Sequence, residues 1–251
     1  MHPPKTKVHL SWLCSSLLLG LATLAPAAEL RVMSFNIWVG GDAGKQPLEQ
    51  TAAVIRGSRA DIVGVQESRG FEKDGVRPDH GAKLAELLGW HWFSQGSSPG
   101  VLSRFPIETN TPAKQGVSIR LPSGQRVWMY NVHFNHAPYQ PYQLLNIPYA
   151  NAPFIKTADE AVAEASKARG GEVMRLLGDL KPALATGEPV FLTGDFNEPS
   201  HLDWTERAAT AGVCPLPVRW PATLAVVEAG MRDAFRTAHP DEVARTTSQR
   251  V

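Results

Sequence analysis

Four short polar clusters each close an apolar run in this chain: Asn36, Gln66-Glu67, Asn131-Val132-His133 and Asp195-Phe196-Asn197. They supply carboxylates, amides and one imidazole. These hard oxygen and nitrogen groups suit Mg²⁺, Mn²⁺ or Ca²⁺ with its waters, and suit a structural zinc site poorly. Competing chemistries find no pattern here. There is no Cys pair, no His-Glu-x-x-His and no glycine-rich nucleotide loop, and Gly40-Gly41 and Gly170-Gly171 read as isolated turns.

Each remaining candidate has a plainer reading. A single histidine in an apolar strand is ordinarily a satisfied core residue, so His133 gains a chemical role only from its companions. Asp61 opens a strand and is expected to cap or pair there, and Arg104, before Phe105-Pro106, is expected in an ion pair. Asn135 and His136 begin a solvated loop that can still reach the site. That loop holds three of the four tyrosines, Tyr139, Tyr142 and Tyr149. They either stack on a base or ring of a substrate, or cover the core.

The clusters need strands to carry them. Leu30 to Trp38 alternates well enough for a strand, broken by Gly40-Gly41-Asp42. Leu48, Ala52 and Ile55 fall at helical spacing, and Asp61 to Val65 reads as a buried strand ending at Gln66-Glu67. A second helix around Leu84, Leu87 and Leu88 precedes strands at 90–94 and 100–107. Val117 to Leu121 and Gln125 to Phe134 flank Pro122-Ser123-Gly124, the signature of a hairpin. Between Asn135 and Pro153 four prolines exclude a regular helix or central strand, which predicts a long loop. Ala158 to Leu180 is helical with a weak point at Gly170-Gly171, and Pro189 to Thr193 is a strand leading into Gly194-Asp195. Short helices are expected at 202–211 and 222–229. Strand ends at one edge of a sheet converge, so the clusters are expected to meet.

The chain has 251 residues, 43% hydrophobic and 20% charged, enough for one large α/β domain with its own core. Lys5 and Lys7 precede an apolar run, Leu10 to Leu24, that ends in Ala25-Pro26-Ala27, the order of a secretory signal. The run is shorter than the ~20 residues of a membrane span, so no stable membrane anchor is expected. The domain reading is therefore a signal peptide over 1–27 and one folded domain over 28–251, secreted or periplasmic. Cleavage after Ala27 also removes Cys14 and leaves Cys214 alone, without an internal disulfide. Losing Lys5 and Lys7 leaves 23 basic against 24 acidic residues, so the net charge moves from +1 to −1. That balance offers nucleic acid no global attraction.

Five segments in order make the chain resemble the endonuclease/exonuclease/phosphatase family. They are Arg31-Val32-Met33-Ser34-Phe35-Asn36-Ile37, Asp61-Ile62-Val63-Gly64-Val65-Gln66-Glu67, Leu102-Ser103-Arg104-Phe105-Pro106-Ile107, Asn131-Val132-His133-Phe134 and Gly194-Asp195-Phe196-Asn197. The resemblance implies a four-layer α-β-β-α sandwich with two mixed sheets; periodicity alone supports α/β with parallel and antiparallel pairing. It further implies Glu67 as main ligand of Mg²⁺ (or Mn²⁺ or Ca²⁺), with Asn36 beside it holding the metal or a phosphate oxygen. Asp195 then orients and deprotonates the attacking water, Asn197 donates to the phosphoryl oxygens, and His133 stabilises the transition state or assists the leaving group. Asn135, Tyr139 and Tyr142 are candidate substrate-binding residues.

The implied reaction is phosphoester hydrolysis by metal-activated water. The substrate is a small molecule, a lipid head group or a nucleic acid; a nuclease calls for a basic groove, a lipid or small-ester hydrolase for an apolar or aromatic rim. No protein partner is implied. The family's closing Ser-Asp-His motif does not follow Asp195 in this sequence, so the last strands are expected to be missing. The alternative function is accordingly a catalytically incompetent fragment or secreted binding domain of the same fold.

Overall fold

The computed structural model describes residues 29–244; the expected signal peptide with Cys14, and the end from residue 245, lie outside the described residues. Among the described residues eight strands form two four-stranded sheets. The first contains β1 (Val32–Asn36), β2 (Ile62–Gln66), β3 (His91–Ser94) and β4 (Gly100–Ser103) in the order β1-β2-β4-β3. β1 and β2 run parallel, joined through helix α1 (Leu48–Ser58), while β4 is antiparallel to both β2 and β3. The second sheet contains β5 (Ile107–Asn110), β6 (Gly116–Arg120), β7 (Arg126–His133) and β8 (Val190–Asp195) in sequence order. Here β5-β6-β7 is an antiparallel meander, and β8 joins β7 in parallel.

The sheets pack face to face through Ile62, Val101, Val117, Ile119, Val127 and Met129, all at most 1% exposed. Helices cover both outer faces. α1 and α2 (His80–Leu88) place Ala52, Ile55 and Leu84 against Val63, Val65 and Leu102. α4 (Ala158–Leu184) and α6 (Pro221–Glu228) place Leu176, Leu180 and Ala222 against Tyr130 and Val132. The architecture is the expected four-layer sandwich with two mixed sheets. No helix among the described residues is long and apolar enough to cross a membrane.

Three elements differ from the sequence expectation. The strand expected over 100–107 is two, β4 and β5, in different sheets. Ser103 Oγ accepts from Phe105 N at 3.0 Å, and Pro106 has no N–H to extend a ladder, so the chain crosses between sheets there. The proline-rich loop contains a short helix, α3 (Gln140–Leu144), because Pro141 sits in the first turn, where its missing N–H leaves no intrahelical bond unmade. Finally, α4 runs unbroken through Gly170-Gly171. A capping box between Thr157 and Glu160 starts it, and packing of Val173, Leu176 and Leu180 outweighs the ~1 kcal/mol that each glycine costs. Two further short helices lie among the described residues, α5 (Glu206–Thr210) and α7 (Ala234–Ala238).

Candidate active site

The parallel register sets Asn36 beside Gln66, and His133 beside Asp195. Because β1, β2, β7 and β8 all end at the same side of the sandwich, their last residues meet. Asn36 ties them together. Its Nδ2 donates to Glu67 Oε1 at 2.9 Å and to Asp195 Oδ2 at 3.1 Å, which links the two sheets. His133 Nε2 lies 4.0 Å from the same Glu67 oxygen.

The backbone is arranged to aim these side chains. Trp38 and Val39 adopt left-handed φ values of 48° and 56°, and the resulting turn points Val39 N at Glu67 Oε2 at 2.8 Å. Trp38 N meanwhile donates to Asn36 Oδ1 at 2.9 Å. Glu67 itself has φ 57° and Asn197 φ 48°. Left-handed backbone at a glutamate is costly and concentrates at functional positions, where surrounding bonds hold it. Asn197 N donates to Asp195 Oδ1 at 3.0 Å, so each Asp195 oxygen accepts one hydrogen bond and retains a lone pair. Gly194 is required before it, since a Cβ there would fall 2.4 Å from Val132 Cγ2.

The structure thus brings Asn36, Glu67, His133 and Asp195 together, with Asn197 adjoining. Asn36 Nδ2 donates to both carboxylates, and its Oδ1 accepts from Trp38 N while keeping a second lone pair. Asn197 Nδ2 donates one hydrogen to Phe134 O at 2.9 Å, which leaves the other for a ligand. Among the described residues no three His, Cys, Asp or Glu side chains close on one point. The donor set nonetheless fits a water-rich ion: carboxylate oxygens of Glu67 and Asp195 share a single donor, where a cation would be equally satisfied.

A cavity of about 1810 Å³ opens beside Asn36 and Asp195, lined on one bank by Tyr139, Tyr142 and Tyr149. The tyrosines therefore face the cavity, not the core. Tyr142 meets Tyr139 and Tyr149 edge-to-face at 4.9 and 5.7 Å, and Tyr149 OH bonds His136 Nδ1 at 2.6 Å. Burial raises the pKa of Tyr139, and Tyr142 and the Asp195 carboxylate add to this, which keeps the phenol protonated. Asn135 does not join the lining. Its side chain folds back onto Ala137, donating to the carbonyl at 2.7 Å.

A model of the endonuclease/exonuclease/phosphatase family matches residues 33–248. The chain belongs to this family. A curated relative, an uncharacterised protein of Caenorhabditis elegans, is 28% identical over 86% of this chain and 68% of its own length. The crystal structure of an endonuclease/exonuclease/phosphatase from Beutenbergia cavernae aligns over 82% of this chain at 19% identity and a TM-score of 0.51. The chain spans 55% of that structure. The catalytic domain of human Nocturnin, solved with sulfate, is 16% identical over 68% of this chain and 65% of its own, at a TM-score of 0.40.

Several residues of this family member carry parts that the motifs did not reveal. Asn131 and Gln66, read with the polar clusters, form the clamp between the sheets. Asn131 Nδ2 donates to Val65 O and Gly100 O at 2.8 and 2.9 Å, and its Oδ1 accepts from Gln66 Nε2 at 2.6 Å. Arg169, only 1% exposed, pairs with buried Glu198 at 3.1 Å. It had a signal: Ala161, Ala165, Arg169, Val173, Leu176, Leu180 and Ala183 are buried along α4, and the two charged residues of that buried set, Arg169 and Asp179, each call for a buried partner. Asp61 and Arg104, by contrast, pair with each other at 3.2 Å, the structural part expected of both.

Proposed function

We propose that this protein is a secreted or periplasmic metal-dependent phosphoester hydrolase that uses direct attack of water. The observation that carries this reading is the hydrogen-bonded unit of Glu67, Asn36 and Asp195 at the meeting strand ends, with His133 beside it. Mg²⁺, Mn²⁺ or Ca²⁺ held by Glu67, with Asn36 alongside, would supply Lewis-acid neutralisation of the phosphoryl oxygens. Asp195, fixed by Asn36 and Asn197 N, orients a water and takes its proton. The free N–H of Asn197 and the imidazole of His133 donate where negative charge builds on the phosphoryl and leaving oxygens.

The surroundings favour a small or lipid-like ester over a nucleic acid. Of the large apolar side chains that are exposed, Leu145 and Tyr149 line the cavity, beside Tyr139 and Tyr142. Such an apolar rim suits a substrate with an apolar or aromatic body. The cavity lining offers one arginine, Arg232, against Asp195, Asp233 and Glu198, the last paired with Arg169, so a polyanion gains little there. The test compares an aryl phosphodiester with duplex and single-stranded DNA and RNA, in Mg²⁺ and Mn²⁺, across salt concentrations. Metal-dependent turnover of the aryl ester with little salt dependence is expected. Preferential nucleic-acid cleavage that falls steeply with salt would overturn the substrate assignment.

A further inference from the structure

Arg169 has no route to the cavity, yet it touches both loops that frame the site. From the buried stripe of α4 its Nη1 donates to Asn135 O and Pro138 O at 3.1 and 3.3 Å, and its Nη2 donates to Gln140 Oε1. Those three acceptors bracket Tyr139 on both sides. Gln140 Nε2 returns to Pro138 O at 3.0 Å, which closes the loop upon itself. On its other side, Arg169 Nε donates to Glu198 Oε2 at 3.1 Å, and Glu198 Oε1 accepts from Ala222 N at 2.7 Å at the start of α6. Glu198 directly follows Asn197. One guanidinium therefore ties the tyrosine bank of the cavity to the loop that carries Asp195 and Asn197.

We infer that Arg169 is a positioning residue: acting through Gln140 and Glu198, it sets the place of Tyr139 relative to Asp195, and so the seat of the substrate against the attacking water. This rests on the reading of the site as a phosphoester hydrolase. The chemistry requires arginine. Only a planar fork with several N–H groups can hold two backbone carbonyls, an amide and a carboxylate at once, whereas a lysine ammonium has three donors on one atom. A plain structural ion pair would need no contact with Asn135, Pro138 or Gln140. Tyr139 lines the cavity together with Asp195, so movement of its loop is felt where the substrate lies.

The test uses Gln140→Met, which keeps the bulk and removes the acceptor, and Arg169→Lys, which keeps the charge and removes the fork. Arg120→Gln is the control, since it breaks an exposed ion pair with Glu108 between β6 and β5, neither residue of which lines the cavity. Folding is followed by far-ultraviolet circular dichroism, and the tyrosine bank by its near-ultraviolet signal, assigned with Tyr139→Phe. In folded Gln140→Met and Arg169→Lys the Tyr139 signal should collapse, and kcat on the aryl phosphodiester should fall about 10- to 100-fold, because small misplacements of reacting groups cost that much. The control should keep both. An unchanged Tyr139 signal and unchanged kcat in either folded variant would overturn the inference. If Gln140→Met fails to fold, Arg169→Lys alone decides by the same readouts. Should the wild type hydrolyse no phosphoester, the hydrolase reading fails, while the Tyr139 signal still reports whether Arg169 positions the loop.

Discussion

Replacing Asn131 with Leu isolates what the polar clamp between the sheets contributes. The two side chains branch alike at Cγ, so the change opens little cavity and its effect is chiefly lost hydrogen bonding. Asn131 is fully buried and makes bonds of 3.0 Å or less to Val65 O, Gly100 O and Gln66 Nε2. Gln66 Nε2 keeps an alternative acceptor in Gly64 O at 3.1 Å, and Thr193 Oγ1, 3.1 Å from Asn131 Oδ1, keeps Tyr130 O. Two carbonyls from the first sheet therefore lose this donor. At ~1–3 kcal/mol for each buried group left unsatisfied, the variant should be about 3 kcal/mol less stable. For a domain of this size that corresponds to a fall of roughly 6–12 °C in Tm. Urea unfolding followed by tryptophan fluorescence should show a lower midpoint with an unchanged slope. A loss below about 1 kcal/mol would refute the clamp, because the stranded carbonyls would then have found other partners at no cost.

Gly64 lies under the same clamp, where an added Cβ would sit 1.9 Å from Thr193 Oγ1 and 2.5 Å from Asn131 Oδ1. Gly64→Ala should therefore destabilise by about 3 kcal/mol or more, and a near-neutral unfolding midpoint would count against the packing described. Glu242 supplies a pH-dependent contact: hydrogen bonds from Arg207 first, and then Thr205, hold its pKa down at about 2. A carboxylate lowered in the fold stabilises above its ordinary value, about 4.3, and that contribution fades as pH falls toward 2. The difference in unfolding midpoint between wild type and Arg207→Gln should consequently shrink from pH 7 to pH 3; a constant difference would show that Glu242 is not held this way.

Much of the fold and the heart of the site were legible because both follow from strand periodicity. Apolar runs that end in Asn36, Glu67, His133 and Asp195 became strands that end together, and the short polar tails met as expected. What escaped reading depends on partners far away in sequence. Nothing local to Gln66 and Asn131 says that they face one another across the sheets, whereas Glu67 and His133, one and two residues further on, face the site. The break between β4 and β5 depends on a crossing that a strand-like run conceals until Ser103-Arg104 and Pro106 are given their full weight. Arg169 is the instructive omission. A charge in an apolar helical stripe announces a buried partner, though only the folded chain shows it to be Glu198 with the tyrosine loop.

The measurement closest to the central claim is single-turnover hydrolysis of an aryl phosphodiester by wild type and Asp195→Asn, paired with calorimetric Mg²⁺ binding to each. Asp195→Asn keeps an oxygen for the Asn197 N–H but removes the proton acceptor. Turnover should fall by about 10²- to 10⁴-fold, the share ordinarily supplied by a general base, while Mg²⁺ affinity, assigned chiefly to Glu67, should change by less than about tenfold. Near-normal turnover in Asp195→Asn would contradict the assignment of the base and, with it, the mechanism.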